Sequence, residues 1–298
     1  MRALVTGSAG FAGTRLCGSL AADGAEVTGF DIRDGRDVRD YEALRAVMDA
    51  VEPDLVFHLA AVAWPGESLS DPRRCMDVNV AGTLNVLEAA RHSGAHARIL
   101  LAGTSEEYGY EGREPGAVLD EAAACHPTTP YGASKLAATS LGVAYARRYG
   151  LPVVVTRAFN HTGAGRQAVN AESAFARRIV AVERGQADHV PHGDLSCVRD
   201  FTDADDVVAA YRLAVMAPPG VYNVCSERPV SLRQVMGILA GLSSARDVVL
   251  KEDESLVRPD KGVFPQPSAA KLRDATGWVP RIPLEDTLAG LLEYWRKR

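Results

Sequence analysis

A glycine loop near the start of the chain limits the possible folds more than any other feature. An apolar run at residues 3–6 leads into the segment GSAGFAG at 7–13, in which Gly7, Gly10 and Gly13 recur at every third position. The residues that follow predict a helix over 11–22. Glycine permits a tight turn between a strand and a helix, and it lets a diphosphate approach the free N–H groups of the helix N-terminus. The opening therefore predicts a strand, an anion-binding turn and a helix.

An acidic residue follows at the end of the second predicted strand, which covers residues 26–30. Asp31 lies 18 residues beyond Gly13, where a dinucleotide-binding strand–helix–strand unit places the carboxylate that binds ribose hydroxyls. The loop and this carboxylate together predict that the chain binds a nicotinamide dinucleotide. The predicted contacts are Gly7, Gly10, Phe11, Ala12, Gly13 and Asp31.

The choice between NAD and NADP stays open at this stage. Asp31 favours NAD because a carboxylate repels the 2′-phosphate of NADP, whereas Arg33 offers that phosphate a binding partner. The segment 31–40 is short and leaves room only for a vestigial third strand around Asp37 and Val38. These two residues are candidates for contact with the cofactor's adenine, and Asp37 has the alternative of a solvated turn.

Apolar strands and helices alternate over the first half of the chain. Strands are predicted at 55–59, 98–102 and 153–155, and helices at 41–51, 78–91 and 131–149. Such alternation is typical of a parallel sheet covered by helices on both faces. The sequence therefore predicts an α/β fold with a doubly wound parallel sheet, the Rossmann architecture.

The alternation ends after about Phe159. Helices predicted at 174–183, 231–242 and 284–297 are mixed with short strands and with links rich in proline and glycine. A strand predicted at 221–224 is suited to rejoin the main sheet. We expect a Rossmann domain over residues 1–158, to which about 199–225 returns, and a smaller mixed α/β substrate-binding lobe over 159–298.

Composition narrows the classes of function. The 298 residues carry a net charge of −5, which argues against nucleic-acid binding because such a surface usually needs a basic stripe. Five cysteines without a C-x-x-C pair indicate reduced thiols and give no metal-binding signature. The sequence has neither an apolar run of the roughly 18–20 residues that a membrane span requires nor an N-terminal targeting pattern. We therefore expect a cytoplasmic protein without a metal, a nucleic acid or a membrane as its partner.

A tyrosine and a lysine lie four residues apart in the helix predicted over 131–149. This spacing puts Tyr131 and Lys135 on one face of the helix. A lysine ammonium in that position lowers the pKa of the phenol electrostatically, and it can also hold the ribose of the nicotinamide. Tyr131 is therefore predicted to be a general acid or base that works near neutral pH.

Polar residues follow the strand predicted at 98–102, at the edge where parallel sheets bind their ligands. The hydroxyl of Thr104 is suited to hydrogen-bond the oxygen that Tyr131 protonates. Glu106 has two interpretations, and both stay open. It is either a second acid or base, or a residue that caps a helix or forms an ion pair.

The chain resembles the extended short-chain dehydrogenases/reductases, the NAD-dependent epimerase/dehydratase family, over essentially its whole length. The motifs that carry the resemblance after the glycine loop are FHLAA at 57–61, NVAGT at 79–83 and YGASK at 131–135. Other segments resemble the branch that contains GDP-6-deoxy-4-keto-mannose reductases and GDP-mannose 4,6-dehydratases. They are SEEYG at 105–109, RAFNHTG at 157–163, RDFTD at 199–203 and TGWVPRIPLE at 276–285.

The resemblance implies roles for the matching positions. Tyr131 would protonate the C4 oxygen of a sugar with Lys135 as its partner, and Thr104 would orient that sugar. Trp64 departs from the family pattern, because relatives usually carry small or polar residues at this mouth of the substrate site. The implied cofactor contacts are Leu59, Ala60 and Ala61, and the implied nucleotide-sugar contacts are Asn160, Arg199 and Arg258, the last near the diphosphate or ribose.

The leading hypothesis is an NAD(P)H-dependent 4-ketoreductase that acts on a nucleotide-linked 4-keto-6-deoxyhexose, with GDP favoured as the nucleotide. The first alternative is a redox-neutral epimerase, 4,6-dehydratase or other isomerase that keeps NAD+ tightly bound at the same Tyr131–Lys135 site. The second alternative is a non-catalytic dinucleotide sensor, which the intact Tyr–Lys pair disfavours. Relatives commonly dimerise through two helices, here those predicted over 78–91 and 131–149, and a homodimer is therefore expected.

Overall fold

The computed structural model describes residues 1–94, 96–111, 113–114, 116–257 and 264–298. Its strands are β1 (Arg2–Thr6), β2 (Glu26–Phe30), β3 (Leu55–His58), β4 (Arg98–Thr104), β5 (Val118–Leu119), β6 (Val153–Ala158), β7 (Asn160–Thr162), β8 (Val190–His192), β9 (Val198–Asp203), β10 (Gly220–Val224), β11 (Pro229–Ser231), β12 (Leu250–Glu252) and β13 (Gln266–Pro267). Its helices are α1 (Phe11–Ala22), α2 (Tyr41–Val51), α3 (Pro65–Ser70), α4 (Pro72–Met76), α5 (Gly82–His92), α6 (Pro130–Tyr149), α7 (Ala171–Glu183), α8 (Ala204–Ala214), α9 (Leu232–Gly241), α10 (Ala270–Thr276) and α11 (Leu284–Arg296).

Apolar strands build a six-stranded sheet in the order β10–β6–β4–β3–β1–β2, in which each neighbouring pair is parallel. All residues of β3 and β6 are buried, which is typical of strands covered on both faces. The strand predicted at 221–224 does rejoin this sheet, as β10 beside β6. The predicted α/β fold with a doubly wound parallel sheet is confirmed.

Side chains along the strands alternate between two apolar layers, because successive residues of a strand point to opposite faces. Leu4 and Val56 belong to the layer covered by α2, α5 and α6. Their neighbours Val5 and Phe57 belong to the layer covered by α1, α8 and α10. Both faces of the sheet are thereby closed, and its carboxyl edge is left for binding.

Strand β4 is longer than its neighbour β3 at the carboxyl edge. His58, the last residue of β3, is paired with Leu101, whereas β4 continues to Thr104 and pairs there with Ala158 of β6. This extension brings Thr104 beyond the end of β3, on the side of the sheet where the glycine loop leaves β1. The register of the sheet therefore positions the predicted catalytic threonine.

The second half of the chain adds a separate apolar cluster. Helices α7, α9 and α11 bury Ile179, Val235, Leu288 and Leu291 against one another. Two small sheets accompany them: β11 is antiparallel to β9, β7 is parallel to β9, and β12 is parallel to β8. A mixed α/β lobe is therefore present beside the main sheet.

The vestigial strand predicted around Asp37 and Val38 is absent from the structure. The described residues there form a 3-10 turn, Ile32–Asp34, and a second turn that ends before α2. The Asp37 carboxylate accepts the backbone N–H of Arg39 at 2.9 Å and also binds its guanidinium, and Asn85 donates to the carbonyl of Val38 at 3.0 Å. Side chains thus satisfy the backbone groups that a strand would have paired with a neighbouring strand.

The helix predicted over 78–91 is part of a longer helical segment. It begins at Pro72 with α4, passes through a π-helical turn, Asp77–Ala81, and continues as α5 to His92. The other predicted elements end within three residues of the observed bounds. In the described part of the chain, none of the helices has both the length and the apolar character that crossing a membrane would need.

Candidate active site

Contacts of the glycine loop explain why glycine occupies its positions. Gly7 has a φ of +71°, and a Cβ there would lie 2.7 Å from the backbone N of Ala60. A Cβ on Gly13 would overlap the carbonyl oxygen of Gly7. The loop therefore lies directly against the segment after β3, where Leu59, Ala60 and Ala61 were predicted to contact the cofactor.

The start of α1 fits a dinucleotide diphosphate. Gly10 is the N-cap residue, and no side chain in the described ranges accepts a hydrogen bond there as a cap. The first N–H groups of the helix, at Phe11, Ala12 and Gly13, are consequently free to bind an anion with the favourable end of the helix dipole. These residues can hold the phosphates that the glycine pattern predicts.

Asp31 is buried at the end of β2 and fixes the loop. One carboxylate oxygen accepts the N–H of Ala9 and the other that of Arg33, both at 2.9 Å. The Arg33 guanidinium donates to the carbonyl of Ala9 at 2.9 Å. A carboxylate has further lone pairs, so Asp31 retains acceptor capacity for a ribose hydroxyl. Asp37, by contrast, is ion-paired with Arg39 at 2.6 Å.

Tyr131 and Lys135 lie in the first turns of α6, and the sequence fixes where that helix begins. The hydroxyl of Thr129 accepts the N–H of Gly132 at 3.0 Å, and Pro130 occupies the first helical position. The ammonium of Lys135 donates to the carbonyl of Ala102 in β4 at 2.9 Å. The start of α6 is thereby tied to the carboxyl edge of the sheet.

Tyr131, Lys135 and Thr104 come together as predicted. Each is at least nine-tenths buried, and the Thr104 side chain lies close enough to the Tyr131 phenol to influence its pKa. A phenol, a hydroxyl and an ammonium therefore lie near one end of β4. This arrangement can donate a proton to a carbonyl oxygen and hold that oxygen in place.

Burial dominates the titration of this pair. It raises the pKa of Tyr131; the Thr104 hydrogen bond opposes this shift, and the negative charge of Glu106 adds to it. Burial lowers the pKa of Lys135 to about 8, against the opposing attraction of Glu107. The sequence-based prediction of a lowered pKa for Tyr131 is wrong in direction, because loss of solvent and nearby negative charge outweigh the contribution of Thr104.

Three polar residues that the sequence did not single out as site residues support the tyrosine. Asn79, in the π-helical turn, accepts the N–H of Val62 at 2.8 Å and donates to Ser134 at 2.9 Å. Ser134 in turn donates to the carbonyl of Tyr131 at 2.7 Å. The hydroxyl of Ser68 accepts the N–H of Tyr131 at 3.1 Å. Asn79 and Ser134 lie in the motifs at 79–83 and 131–135, whereas Ser68 lies outside the motifs identified in the sequence.

The two glutamates after Thr104 have different surroundings. Glu107 is fully buried, and its carboxylate accepts hydrogen bonds from Thr104, Thr139 and Arg157. Glu106 lies in the same 3-10 turn, its N–H donates to the Thr104 hydroxyl at 3.3 Å, and its charge acts on Tyr131. Glu107 of this turn forms a buried ion pair with Arg157.

The predicted substrate residues lie in the small sheet of the second half. Asn160 begins β7, which is parallel to β9, the strand that contains Arg199. The guanidinium carbon of Arg199 is 5.9 Å from the ring centroids of both Tyr110 and Phe264. Arg258 lies outside the described residues.

Two aromatic side chains, Trp64 and His161, make defined contacts. The Trp64 ring folds over Gly66, where a Cβ would lie 2.5 Å from the indole, and Trp64 remains 38% exposed. His161 stacks on Phe11 with a centroid distance of 6.0 Å, and burial lowers its pKa to about 3. His161 is consequently neutral at physiological pH and packs against the glycine loop.

Comparison with known proteins supports the same assignment. Residues 3–225 match the NAD dependent epimerase/dehydratase family. The chain is 33% identical to a GDP-6-deoxy-D-mannose reductase of Pseudomonas aeruginosa, over 100% of this chain and 98% of that protein. This chain therefore belongs to the NAD-dependent epimerase/dehydratase family, as the motifs indicated. Within that family it is an NAD(P)-dependent enzyme.

Solved structures agree with this assignment. The structure of RMD from Pseudomonas aeruginosa, complexed with NADPH, has a TM-score of 0.90 at 32% identity and covers 99% of both chains. The Thermus thermophilus UDP-glucose 4-epimerase in complex with NAD has a TM-score of 0.87 at 29% identity, again over 99% of both chains. Similar folds thus bind either form of the dinucleotide.

Proposed function

We propose that this enzyme is an NAD(P)H-dependent 4-ketoreductase of a GDP-linked 4-keto-6-deoxyhexose. The observation that carries the proposal is the end-to-end similarity to a GDP-6-deoxy-D-mannose reductase. The site supplies matching chemistry, because Tyr131, Thr104 and Lys135 form a buried group of proton donors at the carboxyl edge of the sheet.

The chain's own residues bind and orient both molecules. Phe11, Ala12 and Gly13 offer N–H groups to the dinucleotide diphosphate, and Asp31 accepts from its ribose. When bound, the reduced nicotinamide supplies the hydride for C4 of the sugar. Tyr131 donates the proton to the C4 oxygen, and Thr104 holds that oxygen.

The protonation state of Tyr131 is compatible with the reduction of a ketone. Burial raises the pKa of Tyr131, so its phenol is protonated at neutral pH. The protonated phenol is the form that can donate a proton to a ketone oxygen.

Arginines are the proposed ligands of the nucleotide diphosphate. Arg199 and Arg258 resemble the family's nucleotide-sugar contacts, and a guanidinium binds phosphate oxygens in pairs. Asn160 is proposed to contact the sugar from the neighbouring strand β7. Trp64 adds a large aromatic surface at the mouth of the site and is expected to influence which sugar enters.

Glu106 favours one alternative, a 4,6-dehydratase. The triplet of Thr104, Ser105 and Glu106 resembles that of the dehydratases, which use such a glutamate to remove a proton beside a transient ketone. The charge of Glu106 also acts on Tyr131. A dehydratase would convert GDP-mannose with NAD+ or NADP+ alone and without net consumption of the cofactor.

One assay separates the two reactions. Purified enzyme is incubated either with GDP-4-keto-6-deoxymannose and NADPH or NADH, or with GDP-mannose and a catalytic amount of NAD+ or NADP+. We expect stoichiometric oxidation of the reduced cofactor in the first mixture and no product in the second. Turnover in the second mixture, with no oxidation in the first, would contradict the reductase proposal.

The cofactor proposal is NAD(H) with NADP(H) also accepted, because Asp31 is followed by the exposed Arg33. We expect Arg33→Ala to weaken NADPH binding by about 10-fold to 150-fold, since a charge-assisted hydrogen bond contributes about 1.5–3 kcal/mol, and to leave NADH binding nearly unchanged. Fluorescence titration with both cofactors checks this. Arg45→Ala, on α2 and paired with Asp49, is the matched control. Equal losses for NADPH and NADH in Arg33→Ala would mean that Arg33 does not bind the 2′-phosphate.

A further inference from the structure

Beneath the predicted catalytic threonine lies a carboxylate with no exposed surface. Glu107 ends the 3-10 turn Ser105–Glu107 that follows β4. One of its oxygens accepts the backbone N–H of Thr104 at 3.0 Å. The other accepts the hydroxyl of Thr139 at 2.9 Å and the Nε–H of Arg157 at 2.8 Å. The carboxylate is thus bound by three donors from β4, α6 and β6.

The surroundings of Glu107 leave little freedom for its carboxylate. A Cβ on Gly103 would lie 2.5 Å from the oxygen that binds Thr104, so the glycine allows the carboxylate to lie against the strand. Arg157 pairs with Gly103 across the sheet, and its guanidinium lies over the ring of Tyr108 at 4.6 Å. Arg157 is therefore anchored in β6, and the Glu107 carboxylate lies against β4.

The bond from Glu107 reaches the residue that carries the proposed catalytic hydroxyl. The Glu107 carboxylate holds the Thr104 N–H, while the Thr104 hydroxyl accepts the N–H of Glu106, and together these contacts form a capping box. The box fixes the backbone of Thr104 in an extended conformation and thereby the position of its side chain near Tyr131.

We propose that Glu107 is a positioning residue that sets the Thr104 hydroxyl against Tyr131 through its carboxylate bond to the Thr104 amide. This inference rests on the proposed role of Thr104 in the reductase site. Glu107 itself does not touch the reacting atoms. Its contribution is the geometry of Thr104, and a small displacement of such a group lowers the rate without abolishing binding.

Replacement of Glu107 by glutamine tests this role, because the glutamine side chain has the same shape but one acceptor oxygen instead of two. A carboxylate offers an acceptor oxygen to each side, whereas an amide has one oxygen and an NH2 group. In Glu107→Gln, the single oxygen can serve Thr104 or Arg157, and the NH2 group then faces the N–H donor on the other side. Either arrangement disturbs the ion pair or the capping box.

A double-mutant cycle separates positioning from general stability. We expect Glu107→Gln to lower kcat for GDP-4-keto-6-deoxymannose by about tenfold to a hundredfold, with little change in the KM for NADPH. In Thr104→Ala, the hydroxyl through which Glu107 acts is missing. The double variant Thr104→Ala/Glu107→Gln should therefore have a kcat within about threefold of Thr104→Ala alone.

Thr139→Val is the matched control, because Thr139 binds the Glu107 oxygen that does not hold Thr104. We expect it to lower Tm and to keep kcat within about threefold of the parent enzyme. The proposal is overturned if the losses of Thr104→Ala and Glu107→Gln multiply, or if Glu107→Gln keeps its kcat. Should Glu107→Gln not fold, Glu107→Asp takes its place, since it keeps the charge and both oxygens but shortens the side chain.

Hydrogen exchange distinguishes failure of this inference from failure of the proposed function. If the parent enzyme does not reduce GDP-4-keto-6-deoxymannose, the proposed function is wrong, and the inference is then judged on the Thr104 amide. Faster exchange of that amide in Glu107→Gln than in Thr139→Val supports the positioning role. Equal exchange in the two variants overturns it.

Discussion

At the scale of single residues, the chemistry of this site depends on how little solvent reaches Tyr131 and Lys135. Both side chains are more than nine-tenths buried, and their pKa values move in opposite directions, upward for the phenol and downward for the ammonium. Loss of solvent disfavours whichever form of a group is charged, which explains both directions. The tyrosine is thereby kept as an acid, and the lysine is brought close to its titration range.

Removal of the phenol hydroxyl tests the acid role. We expect Tyr131→Phe to lower kcat by about 10²–10⁴-fold, the usual contribution of general acid catalysis, and to leave dinucleotide binding intact. Turnover of the keto sugar and fluorescence titration of NADPH are the measurements. Tyr149→Phe, at the half-exposed far end of the same helix, is the control. Full turnover in Tyr131→Phe would mean that another group supplies the proton.

Titration of Lys135 predicts a pH dependence of activity. Its pKa of about 8 means that the ammonium is present below that pH and is lost above it. We therefore expect kcat/KM to fall as the pH rises through about 8, and Lys135→Met to lack this decline. A pH–rate profile of both proteins checks the expectation, and an unchanged decline in Lys135→Met would assign it to another group.

The lowered pKa of Lys135 has the opposite effect on stability, which should rise with pH where activity falls. Between pH 8 and the usual lysine value of 10.5, the unfolded chain binds the Lys135 proton and the folded chain does not. The free energy of unfolding contributed by this residue therefore rises with pH across that window, because the cost of burying the charge disappears. Activity and stability should thus diverge above pH 8.

At the scale of elements, the first strand, the glycine loop and α1 act as one unit. The loop is packed so closely that Gly7 and Gly13 have no room for a Cβ, and Asp31 at the end of β2 holds the N–H of Ala9. Dinucleotide binding therefore depends on backbone contacts that the element makes before any ligand is present. A larger residue in place of Gly7 or Gly13 should destabilise the fold and weaken dinucleotide binding.

Two glycines of the loop and helix allow a matched comparison. A methyl group on Gly13 would overlap the Gly7 carbonyl, whereas one on the exposed Gly18 of the same helix would meet nothing within 4 Å. We expect Gly13→Ala to lower Tm and abolish NADPH binding, and Gly18→Ala to stabilise the protein by about 0.5–1 kcal/mol. Thermal unfolding and cofactor titration measure both effects. Normal NADPH binding in Gly13→Ala would show that the loop tolerates displacement.

At the scale of the whole molecule, the site is assembled from both halves of the chain. The proton donors come from β4 and α6, and the proposed sugar contacts from β7 and β9. His161, next to β7's first residue, stacks on Phe11 of the glycine loop. The second half therefore lies directly against the cofactor-binding loop.

The predicted homodimer belongs to this scale. Helices α5 and α6 share one face of the sheet, and Leu84 on α5 remains 37% exposed. We expect light scattering to give twice the mass of one chain, and Leu84→Glu to give the mass of one chain with its fold intact, because a charge would be buried in the helix interface. A single-chain mass for the parent protein would contradict the dimer.

Local sequence patterns were sufficient to predict much of this structure. The spacing of Gly7, Gly10 and Gly13, the four-residue step from Tyr131 to Lys135 and the apolar strands are set within a few neighbouring residues. Conformation and periodicity at that range follow from sterics and helix geometry. The fold class and the return of β10 to the sheet were therefore predictable from the sequence, as was the proximity of Thr104, Tyr131 and Lys135.

Only the tertiary structure decided which groups are buried together. Glu107 meets Arg157 from 50 residues away, and Asn79 meets Ser134 from 55 residues away, so no local pattern distinguishes Glu107 from Glu106. The raised pKa of Tyr131 likewise depends on burial by elements that are distant in the sequence. The sequence determined which chemical groups are available. Packing determined how far each group is exposed to solvent and which hydrogen-bond partners it has, because desolvation and long-range hydrogen bonds exist only in the folded chain.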